Sequence, residues 1–148
     1  MGTNAVQRDA TAEAVSANVI RLRSEQNLGL RALSDRLKSI RPSLRHSTID
    51  AIERGTRRVD VDDLVALALA LKTTPATLLM PAVDDQTEMV AVTGMSTKES
   101  AAKWWLYLQA DPSGAAVVGL SPAAFIANTH PTWQQARWIK ETRTDGND

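Results

Sequence analysis

The stretch Leu28–Gly55, LGLRALSDRLKSIRPSLRHSTIDAIERG, decides the fold. Leu30, Leu33 and Leu37 recur at three- and four-residue spacing and predict a helix from Gly29 or Leu30 to about Ile40. Pro42 stops it, because proline has no amide proton and its ring disfavours helical geometry at the residue before it. Ile49 and Ile52 mark a second amphipathic helix over about residues 45–54, and Gly55 suits the left-handed position after a helix end. The stretch is thus a helix, a turn and a helix, followed at once by the basic run Thr56-Arg57-Arg58.

Working upstream, Val15, Val19 and Leu22 share one face and predict a helix from Ala12 to Gln26, with Asn27 as its stop. Residues 1–11 lack periodicity and read as a mobile tail. Downstream, Asp60 leads into a strongly apolar helix over about residues 61–71. Asp62 and Asp63 suit its positive end, and Leu64, Leu67, Ala68 and Leu71 form its inward stripe. Thr74 caps and Pro75 opens a short helix to about Met80, with Leu78 and Leu79 closing the core and Pro81 marking the domain end. The expectation is an all-α, five-helix domain over residues 12–81.

From Ala82 the character changes. Asp84-Asp85-Gln86 reads as a linker, and Glu88–Thr93, EMVAVT, is strand-like and ended by Gly94. The pattern leaves open whether that strand pairs within one chain or across a dimer. Ser96-Thr97-Lys98-Glu99 is a capping box opening a helix to about Gln109 that carries Ala101, Trp104, Trp105 and Leu108. Residues 111–114 predict a turn, residues 115–120 a short strand or core loop, Ser121-Pro122 a short helix through Phe125, and Thr129-His130-Pro131 a last helix to about Lys140. Residues 82–142 therefore form a smaller, mainly helical C-terminal extension with one or two short strands, and residues 143–148 a disordered tail.

Composition bounds the chemistry. Of 148 residues, 43% are hydrophobic, enough for a packed core. There is no cysteine, which excludes disulfides, thiolate metal sites and a cysteine nucleophile, and fits a reducing cytoplasm. The longest apolar run, Leu64–Leu71, has eight residues, against about 20 for a membrane span. The N-terminal residues MGTNAVQRDA hold no apolar segment of a secretory signal. The net charge is zero, yet residues 21–58 carry ten Lys or Arg against four Asp or Glu, a local +6. A basic segment inside a neutral protein is the footprint of a surface that meets phosphates.

A helix that reads DNA needs polar side chains near its N-terminus to enter the major groove, and a preceding helix to lie across the backbone. His46, Ser47, Thr48, Asp50 and Ala51 all face away from the Ile49/Ile52 stripe. Arg54, Arg57 and Arg58 follow at the far end, within reach of phosphates. Asp50 would face acidic DNA and is better placed to orient Arg54, one turn later. Adjacent residues on one helix diverge, so Ser47, His46 and Asp50 make no catalytic relay. Two isolated histidines, His46 and His130, make no metal site. No nucleophile motif, carboxylate pair or glycine-rich phosphate loop points to an enzyme, and no cofactor is expected.

Val19, Leu22-Arg23, Leu28, Leu33, Leu37, Ser47-Thr48-Ile49, Ile52-Glu53, Gly55, Leu64, Leu67, Ala68, Leu71 and Leu78-Leu79 together resemble the Cro and lambda-repressor-type helix-turn-helix family. The resemblance covers about residues 15–80. It implies base-reading positions at His46, Ser47 and Ala51, with Arg45 and Thr48 beside them. It implies a phosphate contact at the start of the second helix, at Gly29, Leu30 and Arg31; Leu30 stands where the family often has glutamine, and Arg31 can replace it. It implies an ion pair between Arg23 and Glu53 that aims the reading helix. The turn is about five residues longer than is usual in the family, so Ser39–Leu44 is an insertion, either extending the second helix or forming a loop where Arg41 touches the DNA backbone. The ending Phe125…Asn128-Thr129-His130-Pro131-Thr132-Trp133 is similar to that of an actinobacterial or actinophage-like subgroup.

The resulting expectation is a cytoplasmic, sequence-specific repressor that binds a double-stranded DNA operator as a homodimer, with a phage immunity repressor as one biological role. The extension supplies Trp104, Trp105, Leu108, Phe125, Trp133 and Trp138 as a small apolar core or as candidates for a dimer or partner surface. The competing expectation is an antitoxin-like interaction module, with the helix-turn-helix as scaffold and the tryptophan-bearing tail gripping a partner.

Overall fold

The structure, a computed structural model, describes residues 7–137. The fold is all-α apart from one short β pair. Helices α1 (Ala10–Glu25), α2 (Leu30–Leu37), α3 (His46–Glu53), α4 (Val61–Ala70) and α5 (Pro75–Leu79) form the first half. Strands β1 (Met89–Val90) and β2 (Glu99–Ser100), helix α6 (Ala101–Leu108), a 3-10 helix (Pro112–Val118) and helix α7 (Pro122–Thr129) form the second. Residues 132–137 are helical as well. No described helix is long and apolar enough to cross a membrane.

α1 begins two residues earlier than its apolar period predicts. Asp9 Oδ1 accepts the Ala10 amide at 2.7 Å, and that cap recruits residues which the stripe does not reach. Asn27 takes the left-handed conformation with φ 53°, and the Leu28 amide returns to the Arg23 carbonyl at 3.0 Å, so the chain reverses into α2. Val15, Val19, Leu33, Leu37, Ile49, Ile52, Leu67, Leu71 and Leu78 make one buried core. At its edge the fully buried Asn18 donates through Nδ2 to the carbonyls of Thr77, Leu78 and Met80 at 3.2, 3.0 and 2.6 Å, fixing the end of α5 on α1.

The Ser39–Leu44 insertion does not lengthen α2. The amides of Ile40 and Arg41 both return to the Leu37 carbonyl, at 3.0 and 2.7 Å, and close the helix in a tight turn. Leu44 then drops into the core and is as buried as the leucines of α2. Burial of this residue helps hold the insertion against the body of the domain.

The second half has its own core of Val90, Val92, Ala101 and Trp104, with Met80, Val83, Met95, Tyr107, Leu108 and Val117 around it. The Trp104 and Tyr107 rings stack at 4.8 Å between centroids, and Tyr107 meets the Phe125 ring at 6.2 Å. The strand-like segment pairs within the chain: β1 and β2 run antiparallel with Met89 opposite Ser100 and Val90 opposite Glu99. The expected capping box does not form. Glu99 is taken into β2, and Ser100, four residues on from Ser96, caps α6 by accepting the Lys103 amide at 3.3 Å. Residues 111–120, expected as a turn and a short apolar strand or loop, are mostly the 3-10 helix, capped by Asp111 and ended by Gly119 at φ 69°. α7 runs on past Phe125 to Thr129. The halves are joined where Met80 packs on the second core while its carbonyl accepts from Asn18 of α1, and where Thr11 and Thr93 exchange reciprocal amide-to-hydroxyl bonds of 3.2 Å each.

Candidate nucleic-acid interface

Helix α3 is held from three sides. Ile49 and Ile52 are fully buried. Arg23 of α1 meets Glu53 in a two-pronged bond, Nε to Oε1 at 2.6 Å and Nη2 to Oε2 at 3.0 Å, while its Nη1 donates to the Leu28 carbonyl at 2.9 Å. One guanidinium therefore fixes α1, the entry to α2 and the end of α3 together. The bond to Glu53 raises the Arg23 pKa above its ordinary value. At the C-terminal end of α3, buried Ser16 donates to the Ile52 carbonyl at 2.8 Å and accepts from Arg8 at 3.1 Å. Gly55, at φ 74°, lies so close to the Arg8 guanidinium that a Cβ there would collide with it.

Two further arginines turn inward. Asp63 of α4 is fully buried. Arg41 Nε donates to its Oδ1 at 2.6 Å and Arg57 Nη1 to its Oδ2 at 2.9 Å, while the same carboxylate receives the Asp60 amide. Asp60 returns the bond by accepting the Asp63 amide at 2.7 Å, which completes a capping box on α4. Burial pushes the Asp63 carboxyl up, but the bond from Arg41, the Asp60 amide and Arg57 together outweigh it and hold the group below the usual carboxylate range. Arg41 is raised, chiefly by its bond to Asp63. Expected at DNA phosphates, Arg41 and Arg57 instead lock the insertion and the post-α3 loop onto the start of α4. Arg54 bonds Asp50 at 2.5 Å, as the one-turn spacing predicts, and Arg58 donates to the Gln7 carbonyl at 2.7 Å.

Three unengaged side chains of this region come together. Among the described residues, Arg31, Arg45 and His46 make no side-chain hydrogen bond or ion pair, and all three are exposed. With Ser34, Asp35, Lys38 and Pro42 they line a cleft of about 430 Å³ that runs along α2 to the start of α3. Ser47 is exposed beside it, and Thr48 and Ala51 are half-buried on the same helix. The helix starts differ in a matching way. α1, α4, α5, α6 and α7 each begin with a side-chain cap, from Asp9, Asp60, Thr74, Ser100 and Ser121. α2 and α3 begin at Gly29 and Arg45 with no side-chain cap bond. Their first amides are left to an external acceptor, at the positive ends of two helix dipoles.

The extension holds less free surface than its tryptophans imply. Trp104 is buried in the second core and Phe125 is buried on α7 against the Tyr107 ring, so neither is a surface candidate. Trp105 and Leu108 are half-buried, and Trp133 is 76% exposed. Trp138 lies outside the described residues. Among the described residues no group of three or more His, Asp or Glu is placed to hold a metal ion. Sequence reasoning missed Asn18, Leu44 and the Arg41–Asp63 bond. Only Asn18 carries a signal of its own, a polar residue beside the Val15/Val19 stripe of α1.

Comparison with protein-family models, with curated proteins and with solved structures gives no match to this chain.

Proposed function

We propose that the chain is a sequence-specific, double-stranded DNA-binding transcriptional repressor that works as a homodimer, with α3 in the major groove and the start of α2 against the backbone. The observation that carries this reading is the selective absence of partners. Of the nine arginines in residues 21–58, seven are engaged within the fold, yet Arg31, Arg45 and His46 stand unpaired around one cleft beside α2 and the start of α3, the two helices that begin without a side-chain cap. A polyanion supplies what both features lack: phosphate oxygens for the α2 amides and Arg31, and base edges for Arg45, His46 and Ser47. Thr48 and Ala51 lie on the same helix and border the base-reading set. Arg58, tied only to a backbone carbonyl, and the exposed Arg54 are the further phosphate contacts on the far side. The resemblance to the Cro and lambda-repressor-type regulators supports the same assignment of α2 and α3.

Footprinting of the purified chain on the DNA around its own gene tests the reading. A protected operator is expected, with affinity falling steeply as salt rises. A chain that protects no site and binds indifferently to salt would not be such a repressor.

A further inference from the structure

α4 is apolar on both sides. Ala66, Leu67, Ala70 and Leu71 face the core. On the opposite side Val61, Val65 and Leu69 are 78, 48 and 61% exposed, and their four-residue spacing makes them a continuous ridge. Scattered exposed apolar residues are ordinary, but a helix that is apolar all round is normally covered on both faces. Charge marks the two ends of this ridge. Asp62 stands at the start, 3.9 Å from Arg41 of its own chain but with its side chain still 79% exposed, and the exposed Lys72 stands just past the end.

This pattern is self-complementary. Place a two-fold axis across the ridge at the level of Leu67, and two copies of α4 cross in opposite directions. Each Val65 then lies over the partner's Leu69, and each Asp62 lies toward the partner's Lys72. The four-residue ridge is the one that interdigitates with its own copy when helices cross at about 50°. The parallel arrangement would set aspartate beside aspartate and lysine beside lysine. A two-fold interface needs one patch that fits itself, and this ridge with its opposed end charges is such a patch.

We infer that a second copy of the chain covers this face, through an antiparallel α4–α4 seam with paired Asp62–Lys72 contacts. The seam deepens the homodimer reading and draws its biological purpose from it. Its surface belongs to the five-helix domain, which leaves the exposed part of the extension for other work. Three side chains fall short of the roughly 800 Å² per partner of a standard interface, so the equilibrium is weak and dissociable.

Sedimentation equilibrium of the full chain without DNA tests it, over about 1–500 µM, a range that spans a weak dissociation constant. A monomer–dimer equilibrium is expected. Leu69→Asp, on the solvent side and away from the core, should give a monomer with an unchanged helical spectrum. Asp62→Lys or Lys72→Asp alone sets like charges together twice and should weaken the dimer about tenfold, and the two together should restore it. A chain monomeric throughout, or a dimer indifferent to Leu69→Asp, or a double swap no tighter than either single one, would overturn the seam. Because DNA is absent, the two readings fail separately. A chain that dimerises here but selects no duplex sinks the repressor, and one that binds its operator as a monomer sinks the seam.

Discussion

Asp63 ties three segments of the first half together. It accepts the Asp60 amide in the capping box that opens α4, and it holds Arg41 of the insertion and Arg57 of the loop after α3. Asp63→Asn should destabilise the chain by about 2–4 kcal/mol, from a lost cap and weakened charged hydrogen bonds. The pH dependence has a definite sign. The folded carboxyl titrates below its ordinary value of 3.8, so its stabilisation is complete above that value and is lost as pH falls through the lower, folded one. Urea melts of wild type and Asp63→Asn should therefore differ fully at neutral pH and converge in acid; a constant gap would remove Asp63 from this role. At the interface the residues divide by task. His46→Ala or Ser47→Ala should change which base pairs are preferred. Arg31→Ala should weaken binding to all duplexes alike and flatten the salt slope by about one unit, as loss of one phosphate contact does.

At the scale of elements, α3 is aimed by the Arg23–Glu53 bond. Glu53→Ala would leave Arg23 without its carboxylate in a mostly buried place and should cost about 3–5 kcal/mol in chemical denaturation. Operator preference should survive in whatever fraction stays folded, because Glu53 faces α1 and not the cleft. In the second half, a Cβ on Gly114 would come within 2.5 Å of the Tyr107 backbone nitrogen, which no side-chain shift relieves. Gly114→Ala should separate the 3-10 helix from α6 at a cost of about 1–3 kcal/mol, read as a red shift of tryptophan emission. The same elements show what a sequence discloses. α1 to α5 were legible because each has a stripe of its own and a local stop. The polar start of α3 was legible too, and it is this feature that the proposed function builds on. The α6 region was less so: Ser96 and Ser100 both offer a cap, and only pairing of Glu99 with Val90 decides between them. Residues 112–118 are small and carry no period, so no local rule marks their 3-10 turn. The partners of Arg41 were hidden because Asp60 and Asp63 lie about twenty residues away and the insertion has to fold first.

At the scale of the molecule, the two halves share Met80 and the Thr11–Thr93 exchange. All four tryptophans lie between Trp104 and Trp138, so their fluorescence reports on the second half alone, whereas most of the helical signal comes from the first. Coincident thermal midpoints by the two probes are expected for halves that unfold together; an earlier fluorescence transition would show them to be independent. In a chain of zero net charge, Arg31, Arg45 and His46 gather unpaired around the cleft beside α2 and the start of α3, and the proposed function rests on them as a duplex-binding surface. Selection from a pool of random duplexes with the full chain tests that most directly. An enriched two-fold symmetric site is expected, with half-sites about one helical turn apart and a preference that His46→Ala alters. A pool that emerges as random as it began, or an enriched site unmoved by changes at Arg45, His46 and Ser47, would contradict it.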